Sequence, residues 1–196
     1  MKGKKLLMKS DTASVQRVEK QASLRQLCFT FGTREISRQL KSRESYADYK
    51  FIDFDERILN PLSTYNFALE HCWGKCVLVS SKRLLPLAIF YYHHFWFVST
   101  VIEADSTLDF STEWLSSLNG VKGLSSCMSR LPCLSLIEVV ILDGFMAGKS
   151  TNIIARSLGK HPKTIYGYRK KIAVKMGLKK LENLVTLTTM DCVKIL

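Results

Sequence analysis

The stretch GFMAGKSTNIIA, Gly144–Ala155, decides between two folds. Gly148, Lys149, Ser150 and Thr151 reproduce the end of a phosphate-binding loop, and LIEVVILD before them resembles the strand that would feed one. Such a loop needs four residues between its first glycine and the Gly-Lys pair, because its backbone N–H groups must curl around a phosphate. Here only Phe145, Met146 and Ala147 separate Gly144 from Gly148, and no acidic strand end follows to hold magnesium.

The same residues suit helices better. Ser135 and Glu138 form an S-x-x-E capping box. Leu134, Ile137, Ile141 and Phe145 then recur at three- and four-residue steps on one face. Ser150 is a good N-cap for a second short helix whose apolar face is Ile153, Ile154 and Leu158, and Gly159 supplies the left-handed residue that ends it. The stretch HPKTIYGYRKKIAVKMG follows, His161–Gly177. Pro162 sits where a first helical turn tolerates it, Ile165, Ile172 and Met176 share one face, and Gly177 stops the helix. The opposite face carries Lys163, Gly167, Lys170 and Val174, with Tyr166 and Lys171 on its edges. Helix, tight turn and basic helix make a helix-turn-helix, whose second helix lies in the major groove of DNA.

The segment Leu134–Val185 resembles the LuxR-type (GerE) DNA-binding domain without gaps. Leu134, Glu138 and Leu142 match the family's opening LTxxExxxL. Gly148, Ser150, Ile154, Ala155 and Leu158 match GxSNKEIAxxL. Pro162, Thr164 and Ile165 match SPxTV, Ile172, Lys175, Met176, Gly177 and Leu178 match NIxxKLGV, and Leu184 and Val185 match the LV of the last helix. The family's SNKE is STNI here, His161 replaces the usual Ser, and Tyr166 and Tyr168 replace the Lys and His of TVKxH. The resemblance implies an all-α C-terminal domain of four helices. It implies that Tyr166, Gly167 and Lys170 face base edges, and that Lys163, Thr164, Lys171 and Lys175 contact phosphates. Each lysine could instead be a solvated charge, and Tyr168 suits packing against the neighbouring helix. The family pairs through its last helix, which places Leu181, Leu184, Val185 and Thr188 at a dimer interface, homodimeric or shared with another LuxR-type regulator. Those residues could also simply cover the domain's core.

Charge agrees with a nucleic-acid partner. The formal net charge is +12, with 12 Lys and Arg against 4 Asp and Glu from Met128 onward, and 17 against 13 before it. Cys28, Cys72, Cys76, Cys127, Cys133 and Cys192 show no zinc-site spacing and suit reduced thiols in a cytoplasmic protein. The N-terminal MKGKKLLMKSD has too short an apolar run for a signal peptide, and Pro86 with two histidines breaks the longest apolar stretch, so no membrane span is expected.

Residues 1–24 read as a basic flexible arm, and residues 25–118 alternate short apolar runs with amphipathic stretches. RQLCFTFG, YKFIDF, KCVLVSS and FWFVSTVI read as strands. TREISRQLKS, LSTYNFALEHCW, KRLLPLAIFYYHH and STLDFSTEWLSSL read as helices. This predicts an α/β domain with a parallel sheet and helices on both faces. Residues 119–133, rich in Gly, Ser and Pro, read as a linker to a domain at 134–196. The α/β pattern is similar to the phosphoryl-accepting receiver domains often joined to LuxR-type domains. Asp53 stands at the phospho-acceptor position and Ser80 at the hydroxyl position of the next strand. The first strand lacks an acidic pair and FWFVSTVI lacks a lysine, so the receiver is degenerate and independent of phosphorylation. It resembles atypical bacterial regulators of capsule and fimbrial genes. The alternative is a small-molecule sensor of the quorum-sensing type, for which the aromatic run FYYHHFWF would supply the pocket. No Ser/His/Asp set, metal cluster or intact nucleotide motif points to an enzyme, and no cofactor is expected.

Overall fold

The computed structural model describes residues 27–34, 38, 49–55, 64–104 and 131–184. The chain divides into two units, Met1–Ala47 and Asp48–Leu196. In the first, residues 27–34 are helical, which corrects the strand expected over RQLCFTFG. Thr33 Oγ1 donates to the Phe29 carbonyl at 2.8 Å, a bond between successive turns. The half-buried positions, Phe29 and Thr33, are four residues apart, a helical rather than a strand period. Of the helix expected at Thr33–Ser42, residues 33, 34 and 38 are helical, and the others lie outside the described residues.

The second unit opens with three parallel strands, β1 (Lys50–Phe54), β2 (Cys76–Ser80) and β3 (Val98–Glu103), hydrogen-bonded in the order β1-β2-β3. Asp53 pairs in register with Val79, and Val79 with Ile102; Phe54 pairs with Ser80, and Ser80 with Glu103. Helix α1 (Thr64–His71) joins β1 to β2, and α2 (Leu85–His94) joins β2 to β3, each close to its predicted place. Pro86 lies in the first turn of α2, where its missing N–H costs nothing. The helix expected over Ser106–Leu118 lies outside the described residues.

Part of the aromatic run enters the core, while Trp96 within it is 75% exposed. Phe67 stacks on Tyr91 at 4.5 Å and meets Phe54 edge-on at 5.7 Å; Phe90, Tyr91 and Phe97 are all buried. Each such ring contributes roughly 2–3 kcal/mol by leaving water. The Tyr91 hydroxyl donates to Thr64 Oγ1 at 3.2 Å, and burial pushes its pKa well above the usual phenol value.

His71 is buried at the end of α1, with its Nδ1 3.3 Å from Lys50 Nζ. Burial and the Lys50 charge hold its pKa below the ordinary 6.5, partly offset by Glu70. A histidine pKa depressed by folding means that the unfolded chain binds the proton more readily. The stability it contributes is therefore present above pH 6.5 and is lost as pH falls through the folded pKa. Thermal unfolding between pH 7 and 5.5 should show this loss. His71→Gln, which can accept from Lys50 without titrating, should flatten the profile.

The other described elements of the unit are helices: α3 (Leu136–Met146), α4 (Thr151–Ser157), α5 (Pro162–Lys175) and a final helical turn at 182–184. Hydrogen bonds among the described residues join this part to the sheet part. Leu134 N–H donates to the Pro86 carbonyl at 3.1 Å. Thr64 N–H donates to Asp143 Oδ2 at 3.0 Å, so an α3 carboxylate caps the first turn of α1. Burial raises the Asp143 pKa, against the opposing effect of its bonds to Thr64. No helix among the described residues is long and apolar enough to cross a membrane.

Candidate nucleic-acid interface

Three glycines set the angles between the last helices. Gly148, Gly159 and Gly177 all have positive φ, at 72°, 59° and 64°. Each closes its helix with the same paired bonds. Lys149, Lys160 and Leu178 donate to the carbonyls of Gly144, Ala155 and Ala173, while the glycines donate to Phe145, Arg156 and Val174. Gly148 is thus a helix C-terminus and not part of a phosphate loop.

Helix starts follow the predicted caps. Ser150 Oγ accepts from Ile153 N–H at 3.3 Å. His161, in the place of the expected serine, accepts from Lys163 N–H through Nδ1 at 3.2 Å, with Pro162 behind it. At α3 the predicted capping box is present: Glu138 Oε2 accepts from Ser135 N–H at 2.8 Å and Ser135 Oγ at 3.1 Å.

α5 lies against α3 and α4 with Ile165, Ile172, Ala173 and Met176 buried. Its other side is open: Lys163, Thr164, Tyr166, Gly167, Lys170, Lys171 and Val174 are all exposed, Tyr166 at 59% and Val174 at 70%. Lys171 Nζ sits 5.7 Å from the centre of the half-buried Tyr168 ring, which packs against the core. On α4 the expected apolar face shifts by one residue. Ile154 and Ala155 are buried, whereas Ile153 is 55% exposed.

Not every expected site residue lies on the open face. Lys175 Nζ donates to Glu138 Oε2 at 2.6 Å and to the Cys133 carbonyl at 2.8 Å. Burial alone would raise the Glu138 pKa; the bonds from Lys175 and Ser135 outweigh it and hold the carboxyl below the ordinary 4.5. Leu181 and Leu184 are buried in the chain's own core, and Val185 and Thr188 lie outside the described residues. Asp53 is half-buried one residue before the end of β1, and Ser80 is buried with its hydroxyl donating to the Ser81 carbonyl at 2.9 Å.

One important residue escaped the sequence reading. Arg169, on α5, turns inward. Its Nη1 donates to Thr151 Oγ1 at 2.9 Å and its Nη2 pairs with Glu182 Oε1 at 2.6 Å. Its guanidinium carbon lies 4.4 Å from the centre of the Phe145 ring. The signal was available: Arg169 falls four residues after Ile165 and three before Ile172, on the apolar stripe itself.

Two glycines on these helices make opposite predictions. Gly159→Ala meets open space but must keep φ at 59°, which should cost about 1 kcal/mol and lower Tm by roughly 3 °C. Gly167 has no positive φ and nothing near its missing Cβ, so Gly167→Ala should stabilise the helix by about 1 kcal/mol. Thermal unfolding of the two variants checks both signs.

Three linked helices with a basic, solvent-open third helix define a helix-turn-helix domain. Residues 132–188 match the family described as bacterial regulatory proteins, luxR family (GerE), and the segment is a domain of that family. A solved structure of full-length FixJ from B. japonicum aligns with 74% of this chain and 76% of that one, at 20% identity and a TM-score of 0.27. No curated protein matches the chain.

Proposed function

We propose that this protein is a cytoplasmic, sequence-specific DNA-binding regulator of transcription that inserts α5 into the major groove. One observation carries the reading: the face of α5 turned away from the core is continuous, exposed and basic, with Lys163, Lys170 and Lys171 around Tyr166 and Gly167. Lys170 and Tyr166 meet base edges, and Gly167 lets the backbone approach. Lys163, Thr164 and Lys171 hold phosphates, which fix register without reading sequence. Lys175 supports α5 through Glu138 instead of reaching DNA. Anisotropy titrations of the full-length protein with duplex DNA test the reading. Salt-dependent binding with a preference among sequences is expected, and no binding at low ionic strength would overturn it.

In this reading the sheet part is a degenerate receiver that works without phosphorylation and without catalytic turnover. Asp53 and Ser80 occupy adjacent strands, but the residue paired with Ser80 on β3 is Glu103, an acid where a phosphoryl group would need a cation. Incubation with a small phosphodonor should leave Asp53 unlabelled and DNA affinity unchanged. The regulator binds paired half-sites as a homodimer, or as a heterodimer with another LuxR-type protein, through the segment around Val185 and Thr188. Sedimentation with a duplex should show two protomers per site.

A further inference from the structure

Arg169 occupies a position that should be costly for a cation. It lies on the buried stripe of α5, and its side chain is only 13% exposed. The surroundings compensate with directed contacts from three other parts of the domain. Thr151 at the start of α4 accepts from Nη1, Glu182 accepts from Nη2, and the Phe145 ring near the end of α3 lies beside the guanidinium. Two hydrogen bonds at separate nitrogens fix the plane of a guanidinium in a way that one ammonium could not.

The fixed plane has a neighbour on its outer side. Tyr166, three residues earlier on α5, places its ring centre 5.6 Å from the Arg169 guanidinium carbon, while most of the tyrosine remains open to solvent. Residues three apart on a helix are neighbours, so the exposed ring rests on a charged platform held from α4 and Glu182. A ring restrained in this way loses less conformational freedom on binding than a free surface tyrosine. It presents a flat apolar surface in the middle of the open face. In the major groove the one apolar group among the four bases is the thymine 5-methyl.

We infer that Arg169 is a positioning residue that holds the Tyr166 ring to read a thymine methyl group. The inference rests on α5 entering the major groove, and it adds an indirect determinant of sequence preference that touches no base itself.

The test uses the full-length protein and a duplex selected by it from a random pool. The selected duplex is synthesised once with thymidine and once with 2′-deoxyuridine, which removes the methyl groups and leaves every hydrogen-bonding edge intact. Covering one methyl group per protomer corresponds to about a fourfold preference for the thymidine duplex if one wild-type protomer binds, and about fifteenfold if two do. Tyr166→Ala and Arg169→Lys should reduce it below about 1.5-fold, and Tyr166→Phe should keep it. Circular dichroism and thermal unfolding verify that each variant is folded. Should Arg169→Lys fail to fold, Thr151→Val removes one acceptor of the platform and should also lower the ratio. Equal wild-type affinity for the two duplexes would overturn the inference while leaving the DNA-binding reading intact. So would a ratio undiminished in Arg169→Lys or Thr151→Val, or a loss in Tyr166→Phe, which would assign the tyrosine hydroxyl to a phosphate. Absence of salt-dependent binding to any duplex would remove the DNA-binding reading itself and the inference with it.

Discussion

Lys175→Met is expected to lower stability by about 3 kcal/mol while leaving the salt dependence of DNA binding unchanged. Glu138 is 3% exposed, and its Oε2 is held by Lys175 Nζ, Ser135 N–H and Ser135 Oγ. Methionine keeps most of the side-chain volume but removes the cation and so leaves the carboxylate buried. Removing one partner of a buried pair typically costs about 3–5 kcal/mol. The lower end applies because the Lys175 side chain is 32% exposed and the Ser135 donors remain. For a chain of this length the change in Tm is roughly 6–12 °C. The carboxyl's depressed pKa adds a pH signature. A carboxylate held below its ordinary 4.5 stabilises the fold above that pH, and the contribution is lost as pH falls through the folded value. Lys175→Met should weaken that acid sensitivity, since only the Ser135 donors then hold the carboxylate. If the variant instead kept its Tm and reduced the salt slope, Lys175 would be a phosphate contact, as the family resemblance first suggested.

The contrast between Lys175 and its neighbours shows what was legible in the sequence. The strands β1, β2 and β3 were readable because runs such as CVLVS are apolar on both faces, as buried parallel strands must be. The helix ends were readable because caps are local: Ser135, Ser150, Pro162 and the glycines act within three or four residues of themselves. The open face of α5 followed from the 3.6-residue period. What stayed hidden depends on distant partners. Glu138 lies 37 residues from Lys175, and Thr151 lies 18 from Arg169. A cation reads as surface until its carboxylate is placed beside it, because burial without a partner would be prohibitive. At 27–34 the difficulty is different. Leu-Cys-Phe-Thr-Phe offers β-forming residues, but the contacts that settled the segment are between helical turns, from Thr33 back to Phe29.

Replacing both Lys163 and Lys171 by Ala should give the largest change in DNA affinity of any surface substitution in the domain. Both side chains are exposed on the open side of α5, flanking Tyr166 and Gly167. Each phosphate contact contributes about 0.9 to the slope of log K against log salt, which at 0.1 M salt corresponds to roughly eightfold in affinity. Two contacts per protomer give a slope smaller by ~1.8 and a loss of ~60-fold if one protomer binds. With two protomers across paired half-sites the same substitutions remove four contacts, the slope falls by ~3.6, and the loss reaches ~4000-fold. The titration therefore reports the stoichiometry as well as the contacts. Ranking among duplex sequences should survive, because phosphates carry no sequence information, whereas Lys170→Ala should flatten the ranking at one position by about 1–3 kcal/mol. These two outcomes separate a lysine that holds the backbone from one that reads a base. Lys163 and Lys171 would be solvated charges, and the docking of α5 would need another explanation, if the double variant bound with the wild-type slope.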